Sequence, residues 1–241
     1  MKNIKGIIFD YGGTIDTNGI HWGEFIEEEY RNTGTGISKE LFREAYVHTE
    51  RALAKSPIIA PQDTFHTLLE KKITLQAEYL AGHNAAITLQ QRETIIEGCY
   101  SKVLATLSTT RAIVEKLAQS YPMVLVTNFY GNMPVVLKEF SLNNLFKEIV
   151  ESSVVGLRKP DPALFALGVK ALNLPAEEIV VIGDSYRKDI YPSSTLGCKT
   201  IWLKNICWEE EPIADSHAPT AIIGSIEQVP DVISALQSKE P

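Results

Sequence analysis

The feature that most constrains the fold is a series of short apolar runs that alternate with stretches of helical periodicity. Five runs have this character: Gly6–Phe9, Met123–Val126, Ile179–Ile182, Thr200–Leu203 and Ala221–Ile223. Continuous runs rich in β-branched residues are typical of parallel strands that are buried on both faces. Helix-like stretches lie between or after them at 112–118, 165–172 and 226–236. This alternation predicts an α/β fold with a Rossmann-like, doubly wound parallel sheet.

Residues 17–99 follow a different pattern, because apolar residues recur there at helical spacing and few strand-like runs interrupt them. Turn-forming residues at 32–34 and 56–57 divide this stretch into about four helices. We expect a helical-bundle cap domain over 17–99, called the lid below, inserted into an α/β core domain of residues 1–16 and 100–241. An insertion that leaves and re-enters the core beside the same strand can hinge over an active site. The alternative is a long helical excursion within one domain.

Composition and charge are ordinary for a soluble globular protein, with 44% hydrophobic and 22% charged residues. The formal net charge of −7 argues against a nucleic-acid partner or an anionic membrane surface. The three cysteines show no CxxC spacing, and the chain begins without a secretory apolar segment, so we expect a reducing cytoplasm. No apolar run is long enough to span a bilayer. Oligomeric state has no signature in this sequence.

Polar side chains follow three of the five runs at the point where each run ends. Asp10 follows the first run and Asp184 follows the third, while Thr127 and Asn128 close the second. The carboxyl ends of parallel strands meet at one edge of a sheet, which is where ligands bind in open α/β folds. We therefore expect these side chains to lie close together. Asp and Thr also cap helices and turns after strands, so position alone leaves a structural role open.

Four segments resemble, in their order and spacing, the motifs of the haloacid dehalogenase-like (HAD) hydrolases. They are Asp10-Tyr11-Gly12-Gly13-Thr14, Thr127-Asn128, Leu157-Arg158-Lys159-Pro160-Asp161-Pro162 and Gly183-Asp184-Ser185-Tyr186-Arg187-Lys188-Asp189. The last two segments together are the most specific part, and the resemblance covers essentially the whole chain. The place of the helical insert resembles the subfamily whose cap lies between the first and second motifs. The resemblance implies a hydrolase, namely a phosphatase of a small phosphorylated metabolite.

The resemblance also implies a role for each anchor residue. Asp10 would attack phosphorus and form an aspartyl-phosphate, which splits one hard displacement into two easier ones. Lys159 would keep Asp10 ionised and offset phosphoryl charge. Thr127 and Asn128, together with Lys159, would bind the phosphate oxygens through a hydroxyl and nearby N–H groups.

A Mg²⁺ site is the second implication. The three carboxylates of Asp10, Asp184 and Asp189 at one edge would raise each other's pKa values unless a cation lay between them. Mg²⁺ prefers oxygen ligands and usually keeps several waters. The resemblance implies that Asp10, Asp184 and the main-chain carbonyl of Gly12 bind the ion. Asp189 would be a further ligand or a supporting residue, unless it only caps the following helix.

Position 12 departs from the family pattern, because the family's phosphatases carry a second Asp where this chain has Gly12. That Asp protonates the leaving oxygen and then activates the attacking water. General acid/base help of this kind is worth roughly 10²–10⁴-fold in rate. Asp16 could replace it only if the turn curls back. His21 in the lid titrates near neutrality, but a lone histidine is more often a packing or surface residue.

Three functions therefore stay open. The first is a Mg²⁺-dependent phosphatase, and the second is a catalytically impaired HAD protein that binds a phosphorylated ligand or partner. The third is a carbon–phosphorus or carbon–halogen hydrolase of the same fold. A phosphonatase would need a Schiff-base lysine in the lid, where the candidates are Lys39, Lys55, Lys71 and Lys72. A dehalogenase carries a tyrosine at position 12 and needs no metal, whereas Tyr11 lies one position too early.

Overall fold

Within the described residues, 3–209 and 212–237, the computed structural model contains a sheet of six strands in which every neighbouring pair is parallel. The strands are β1 (Gly6–Phe9), β2 (Met123–Thr127), β3 (Glu148–Glu151), β4 (Ile179–Gly183), β5 (Lys199–Leu203) and β6 (Ala221–Ile223). Their order is β3-β2-β1-β4-β5-β6, so the winding of the chain reverses between β1 and β4. This arrangement confirms the predicted Rossmann-like, doubly wound fold.

The strand β1 lies at the centre of the sheet, between β2 and β4. Ile8 pairs with Val124 on β2 and with Val181 on β4. Ile7 and Phe9 pack into the core on one face and Ile8 packs into the core on the other, because successive side chains of a strand point to opposite faces. A strand buried on both faces needs apolar residues throughout, which explains the unbroken apolar run in the sequence.

The strand β3 is the one that the sequence pattern did not predict. It is an edge strand, and among its four residues only Ile149 and Val150 are apolar. Glu148 is exposed, while the buried side chain of Glu151 accepts a hydrogen bond from the backbone N–H of Gly131. An edge strand with two apolar residues between charged ends lacks the continuous run that marks the other strands.

Four helices lie between β1 and β2, in a stretch whose residues are all described. They are α1 (Trp22–Asn32), α2 (Lys39–Lys55), α3 (Phe65–Gly82) and α4 (Leu89–Ala118). Their amino termini are capped by the side chains of His21, Ser38, Thr64 and Thr88. The helices α1 and α2 end beside the turn-forming residues at 32–34 and 56–57, as the sequence predicts.

The helix α4 is continuous over 30 residues, although the sequence suggests a separate helix at 112–118. It carries the chain from the lid back towards β2, and it passes through the predicted domain boundary at residues 99 and 100. Its inward side is apolar along its length, with Ile95 near one end and Val114 near the other, both fully buried. The division into a lid and a core stays a prediction, with α4 shared between the two.

Among the described residues after β2, the fold also contains five further α-helices, one π-helical turn and three short 3₁₀ helices. The α-helices are α5 (Met133–Glu139), α6 (Ser152–Val155), α7 (Pro162–Leu172), α8 (Tyr191–Ser194) and α9 (Val229–Gln237). Tyr186–Ile190 forms the π-helical turn. The helix α7 approaches β2 closely at Gly168, where a Cβ would lie 2.6 Å from Val126 Cγ2. No described helix is both long and apolar enough to cross a membrane.

Hydrogen bonds hold the lid helices over the carboxyl edge of the sheet. Tyr130 Oη, just after β2, donates to Glu50 Oε2 on α2 at 2.9 Å. Asn132 Nδ2 donates to the carbonyl oxygen of Asp63, just before α3, at 2.9 Å. These contacts set the lid on one side of a cavity whose other side is formed by residues that follow β1, β2 and β4.

Candidate active site

Three carboxylates converge at the carboxyl edge of the sheet. Asp10 directly follows β1 and Asp184 directly follows β4, while Asp189 lies in the π-helical turn. One oxygen from each of the three lies within 4.8 Å of the others. Asp10 and Asp189 are buried, and Asp184 is half-buried. The fold thus brings together the three acids that the sequence marks as metal ligands.

Lys159 lies between two of these carboxylates. Its Nζ is 2.6 Å from Asp10 Oδ1 and 2.7 Å from Asp189 Oδ1, and only 2% of its side chain is exposed. The Asn128 side chain fixes the backbone of Lys159, since it accepts from the Lys159 N–H at 2.9 Å and donates to the Lys159 carbonyl at 3.2 Å. A contact between Asn128 and phosphate therefore stays a prediction. Thr127 is buried and lines the same cavity.

Burial controls the charge of this cluster. Burial raises the pKa of Asp10 to about 6, although the Lys159 ammonium opposes the rise. Burial and the negative charges of Asp189 and Asp10 hold the pKa of Asp184 well above its usual range. Burial lowers the pKa of Lys159, but the two neighbouring carboxylates outweigh it and the net shift is upward. When all three acids are ionised, the single ammonium leaves two negative charges uncompensated, which a divalent cation with oxygen ligands would offset.

The glycine-rich turn after β1 packs directly against these acids. Gly13 has a φ of +92°, a conformation that residues with a side chain rarely adopt. A Cβ at this position would overlap the carboxylate of Asp184. Thr14 Oγ1 lies 3.3 Å from Asp10 Oδ2 and 3.4 Å from Asp184 Oδ1, so its hydroxyl can donate to either acid. The turn therefore positions two of the three carboxylates.

Asp16 lies beside Gly12, because the turn curls back on itself. Asp16 is fully buried, and its Oδ1 accepts from the Gly13 N–H at 2.7 Å while its Oδ2 accepts from Trp22 Nε1 at 2.9 Å. A Cβ built on Gly12 would lie 4.0 Å from Asp16 Oδ2. Burial raises the pKa of Asp16 to about 7, against the hydrogen bonds from Gly13 and Trp22. The condition under which Asp16 could reach position 12 is therefore met.

His21, the other substitute suggested by the sequence, is the amino-terminal cap of α1. Its Nδ1 accepts a hydrogen bond from the Gly23 N–H at 3.0 Å, and burial lowers the pKa of His21 to about 3. The imidazole packs against the Trp208 ring, with the centroids 5.2 Å apart. A neutral imidazole whose Nδ1 is engaged in a cap is a poor source of the missing proton.

The lid contributes to the cavity an ion pair of a buried lysine and a half-buried glutamate, and sequence reasoning missed this pair. Lys72 Nζ on α3 lies 2.7 Å from Glu50 Oε1 on α2, and Tyr130 Oη donates to the other oxygen of Glu50. The Lys72 ammonium also lies 5.7 Å from the centroid of the Trp22 ring. Burial lowers the pKa of Lys72, but the negative charge of Glu50 outweighs burial and the net shift is upward. These residues are far apart in the sequence and share no motif, so no local signal marks them.

A Schiff-base lysine would need a neutral amine facing the cavity. Lys72 lines the cavity but is held as an ammonium by Glu50. Lys39 and Lys71 pair with acids of the lid itself, and Lys55 is exposed. This arrangement does not favour the lid-lysine mechanism.

Sequence comparison matches the chain with a family and with several curated enzymes. The family model of haloacid dehalogenase-like hydrolases matches residues 4–191, and a HAD-hydrolase-like model matches residues 156–229. Phosphoglycolate phosphatase of Vibrio cholerae is 26% identical over 224 residues, which are 90% of this chain and 92% of that protein. Glyceraldehyde 3-phosphate phosphatase of Pyrococcus furiosus is 29% identical over 92 residues, so that match spans only 38% of either protein.

Solved structures share the fold over nearly the whole chain. A dehalogenase with an intermediate complex has a TM-score of 0.65 at 13% identity, with all of both chains covered. The Bacillus subtilis HAD-hydrolase YfnB bound to magnesium has a TM-score of 0.61 at 16% identity, covering 96% of this chain and 99% of that one. A HAD phosphatase from Thermococcus onnurineus has a TM-score of 0.53 at 18% identity, covering 95% and 98%. At these identities the likeness shows the fold alone.

Proposed function

This chain belongs to the haloacid dehalogenase-like hydrolase family, and on that premise we propose that it is a Mg²⁺-dependent phosphatase of a small phosphorylated metabolite. The observation that carries the proposal is the buried contact of Lys159 with Asp10 and Asp189, beside Asp184. A nucleophilic carboxylate, a fixed cation and a set of oxygen ligands thereby face one cavity. The similarity to phosphoglycolate phosphatase along 90% of the chain supports the same reaction class.

Asp10 is the nucleophile in this proposal. Lys159 holds Asp10 Oδ1, and the Thr14 hydroxyl lies beside Oδ2, so the carboxylate is oriented before a substrate arrives. One oxygen of Asp10 bonds to phosphorus while the bond between phosphorus and the leaving oxygen breaks. Water then attacks phosphorus, which releases inorganic phosphate and restores Asp10. Lys159 offsets negative charge on the phosphoryl oxygens in both steps.

The oxygen-rich set of side chains at this edge fits Mg²⁺. Asp10, Asp184 and the main-chain carbonyl of Gly12 would hold the ion. Asp189 is better placed as a supporting residue, because both of its oxygens already accept hydrogen bonds, one of them from the Ser185 N–H at 3.1 Å. When bound, the ion offsets phosphoryl charge and orients the phosphate group.

The lid supports a small substrate. Trp22, Phe65 and Lys72 line the cavity from the side opposite Asp10. A cavity enclosed between lid helices and a sheet edge accommodates a small molecule more readily than a folded macromolecule. The Lys72 ammonium, paired with Glu50, is a cation on the lid side of the cavity that an anionic metabolite can contact.

The experiment that tests the proposal is phosphate release by the purified protein from an activated aryl phosphate, p-nitrophenyl phosphate. We expect release that requires Mg²⁺, stops with a chelator and falls to background in Asp10→Asn. Asp231→Asn is the matched control, because it removes an exposed carboxylate in the first turn of α9 and should leave the rate unchanged. Mg²⁺-stimulated release that survives in Asp10→Asn would contradict the proposal.

Gly12 favours a second candidate, a protein that binds a phosphorylated ligand without turning it over. Such a protein would release no phosphate above background but would bind vanadate or inorganic phosphate in a calorimetric titration. Lys159→Met should weaken that binding, because it removes the cation beside Asp10. Chloride release from a haloacid that is indifferent to chelator would instead indicate a dehalogenase.

A further inference from the structure

We propose that Asp16 supplies the acid/base carboxyl group that position 12 lacks. This inference rests on the proposed phosphatase function, and it concerns how that function survives the loss of an acid at Gly12. The carboxyl group would reach the site from four residues farther along the same turn.

The Asp16 side chain lies next to the volume that a side chain on residue 12 would occupy. A Cβ built on Gly12 has Asp16 Oδ2 at 4.0 Å and the Trp22 indole at 3.9 Å as its nearest neighbours. Asp16 and Asp10 line the same cavity, so the turn directs two carboxyl groups into one space. A nucleophile and an acid/base on the same turn is the arrangement that the two-step reaction needs.

Two donors hold the Asp16 carboxyl group in place but do not occupy all of its lone pairs. The Gly13 N–H donates to Oδ1 at 2.7 Å and Trp22 Nε1 donates to Oδ2 at 2.9 Å. A carboxyl oxygen has two lone-pair positions, so Oδ2 keeps one at which a proton can be held and released. Asp16 is fully buried, and burial favours the neutral, protonated form of an acid over the carboxylate.

Two other titratable side chains that line this cavity from the lid, Glu50 and His21, are already engaged. Glu50 binds Lys72 through one oxygen and Tyr130 through the other. His21 uses Nδ1 to cap α1. Apart from the three acids assigned to the metal site, Asp16 is therefore the acid among the cavity residues named here with capacity for proton transfer.

The proton balance closes over two steps. In the first, protonated Asp16 gives its proton to the leaving oxygen as the bond from phosphorus to that oxygen breaks and Asp10 bonds to phosphorus. The products are an alcohol, the aspartyl-phosphate on Asp10 and an Asp16 carboxylate. In the second, this carboxylate takes a proton from water, whose oxygen bonds to phosphorus as the bond between phosphorus and Asp10 breaks. Inorganic phosphate leaves, Asp10 is again a carboxylate and Asp16 is again protonated.

Asp16→Asn tests this role through the leaving group. The probes are aryl phosphates whose phenols differ in acidity, from p-nitrophenyl phosphate to phenyl phosphate. A general acid matters most for a poor leaving group, so kcat should fall roughly 10²–10⁴-fold for phenyl phosphate and far less for p-nitrophenyl phosphate, with KM little changed. Equal slowing of all substrates, or no slowing, would overturn the role of Asp16. Asp10→Asn separates the two proposals, because it should abolish release from every probe if the phosphatase function is correct.

Gly12→Asp in the Asp16→Asn background is the rescue experiment. The nearest neighbours of a Cβ on Gly12 lie at 3.9–4.0 Å, which is ordinary contact distance, so a side chain can start at this position without overlap. With phenyl phosphate, we expect kcat of the double variant to be roughly tenfold or more above that of Asp16→Asn. A purely structural Asp16 would not be replaced by a carboxyl group at another position, so absence of recovery in a folded double variant would overturn the inference.

Trp22→Phe separates chemistry from packing. An asparagine at position 16 could set an amide N–H against the Trp22 indole N–H. Asp16→Asn is therefore also made together with Trp22→Phe, which removes the indole N–H. Thermal unfolding of each variant shows whether it is folded. Trp22→Phe alone retains the Asp16 carboxyl group and should keep the leaving-group dependence of the wild type. The same steep dependence in Trp22→Phe as in Asp16→Asn would assign the effect to lost packing and overturn the inference.

Discussion

Gly13 is where the backbone of the turn lies directly against a carboxylate of the candidate site. Its φ is +92°, and a Cβ there would overlap the carboxylate of Asp184. Glycine at this position therefore allows an acid from a different strand end to lie against the turn. The sequence shows the glycine, but Gly-Gly turns are common, and only the fold shows which side chain lies against it.

Mg²⁺ bound as proposed should raise the Tm of the wild-type protein, and Gly13→Ala should displace Asp184 and remove that rise. Gly34→Ala is the matched control, because Gly34 also has a positive φ, +65°, but nothing lies within 4 Å of its Cβ position. Both substitutions should cost about 1–3 kcal/mol of stability through backbone strain. Thermal unfolding with and without Mg²⁺ measures the difference. A Mg²⁺ response in Gly13→Ala equal to that of the wild type would show that Asp184 does not hold the ion.

The positions of the residues that follow strands were predictable, whereas for Asp16 the sequence offered only a condition, namely that the turn curls back. Asp10 and Asp184 follow continuous apolar runs that predict strands. Because the strands are parallel, their carboxyl ends lie at the same edge of the sheet. The position of Asp16 depends instead on hydrogen bonds from Gly13 and Trp22, and the Trp22 bond exists only once α1 has packed above the turn. Contacts of this kind are tertiary, so a local pattern does not contain them.

At the scale of elements, two-sided burial decided what the sequence could reveal. The strands β1, β2 and β4 are buried along their whole length, and their continuous apolar runs predict them. The edge strand β3 is half charged and escaped the prediction. The sequence pattern divides the continuous 30-residue helix α4, because this helix carries the chain from the lid back towards β2 and so crosses the predicted domain boundary.

The cap of α1 predicts a loss of stability in acid. The pKa of His21 is lowered to about 3 by burial, with Lys188, Lys72 and Arg43 adding to the effect and Glu50 opposing it. The unfolded chain binds a proton near pH 6.5 while the folded chain does not, so this contribution is present above pH 6.5 and is lost as pH falls towards 3. His21 should therefore cost the folded state roughly 2 kcal/mol between pH 7.5 and pH 5.

Urea unfolding of His21→Asn at the same two pH values measures this cost. Asparagine can still cap α1 but does not titrate, so the variant should lose roughly 2 kcal/mol less than the wild type on acidification. His83→Asn, which changes an exposed histidine, is the control. Equal acid sensitivity of the wild type and His21→Asn would contradict the buried, neutral state of this histidine.

At the scale of the whole molecule, the family and the fold class were predictable because the motif order and the strand runs extend along the chain. Both are confirmed by the match to residues 4–191 and by the strand order. The lid side of the cavity was not predictable. Glu50, Lys72 and Tyr130 come from α2, α3 and the segment after β2, and only packing of the lid on the sheet brings them together.

Tyr130→Phe should loosen the lid from the sheet. It removes a hydrogen bond to the charged, half-buried Glu50, which is worth about 1.5–3 kcal/mol, and it should lower kcat/KM for p-nitrophenyl phosphate. Tyr79→Phe is the matched control, since the Tyr79 hydroxyl bonds Glu44 at 3.4 Å within the lid itself and at an exposed position. Hydrogen exchange of the α2 and α3 amides should quicken in Tyr130→Phe and not in Tyr79→Phe. Identical exchange in the two variants would show that Tyr130 does not hold the lid.

Because α4 is continuous, the direction in which its first half faces determines how the lid is rotated relative to the core. An α-helix turns about 100° and advances about 1.5 Å per residue, so one inserted residue at mid-helix would swing the lid more than a quarter of a circle around that axis. Seven inserted residues would nearly restore the rotation of the lid around the helix axis, but they would move the lid about 10 Å along that axis. A different lid joined to this helix would therefore face the acids only when the number of residues along α4 is kept.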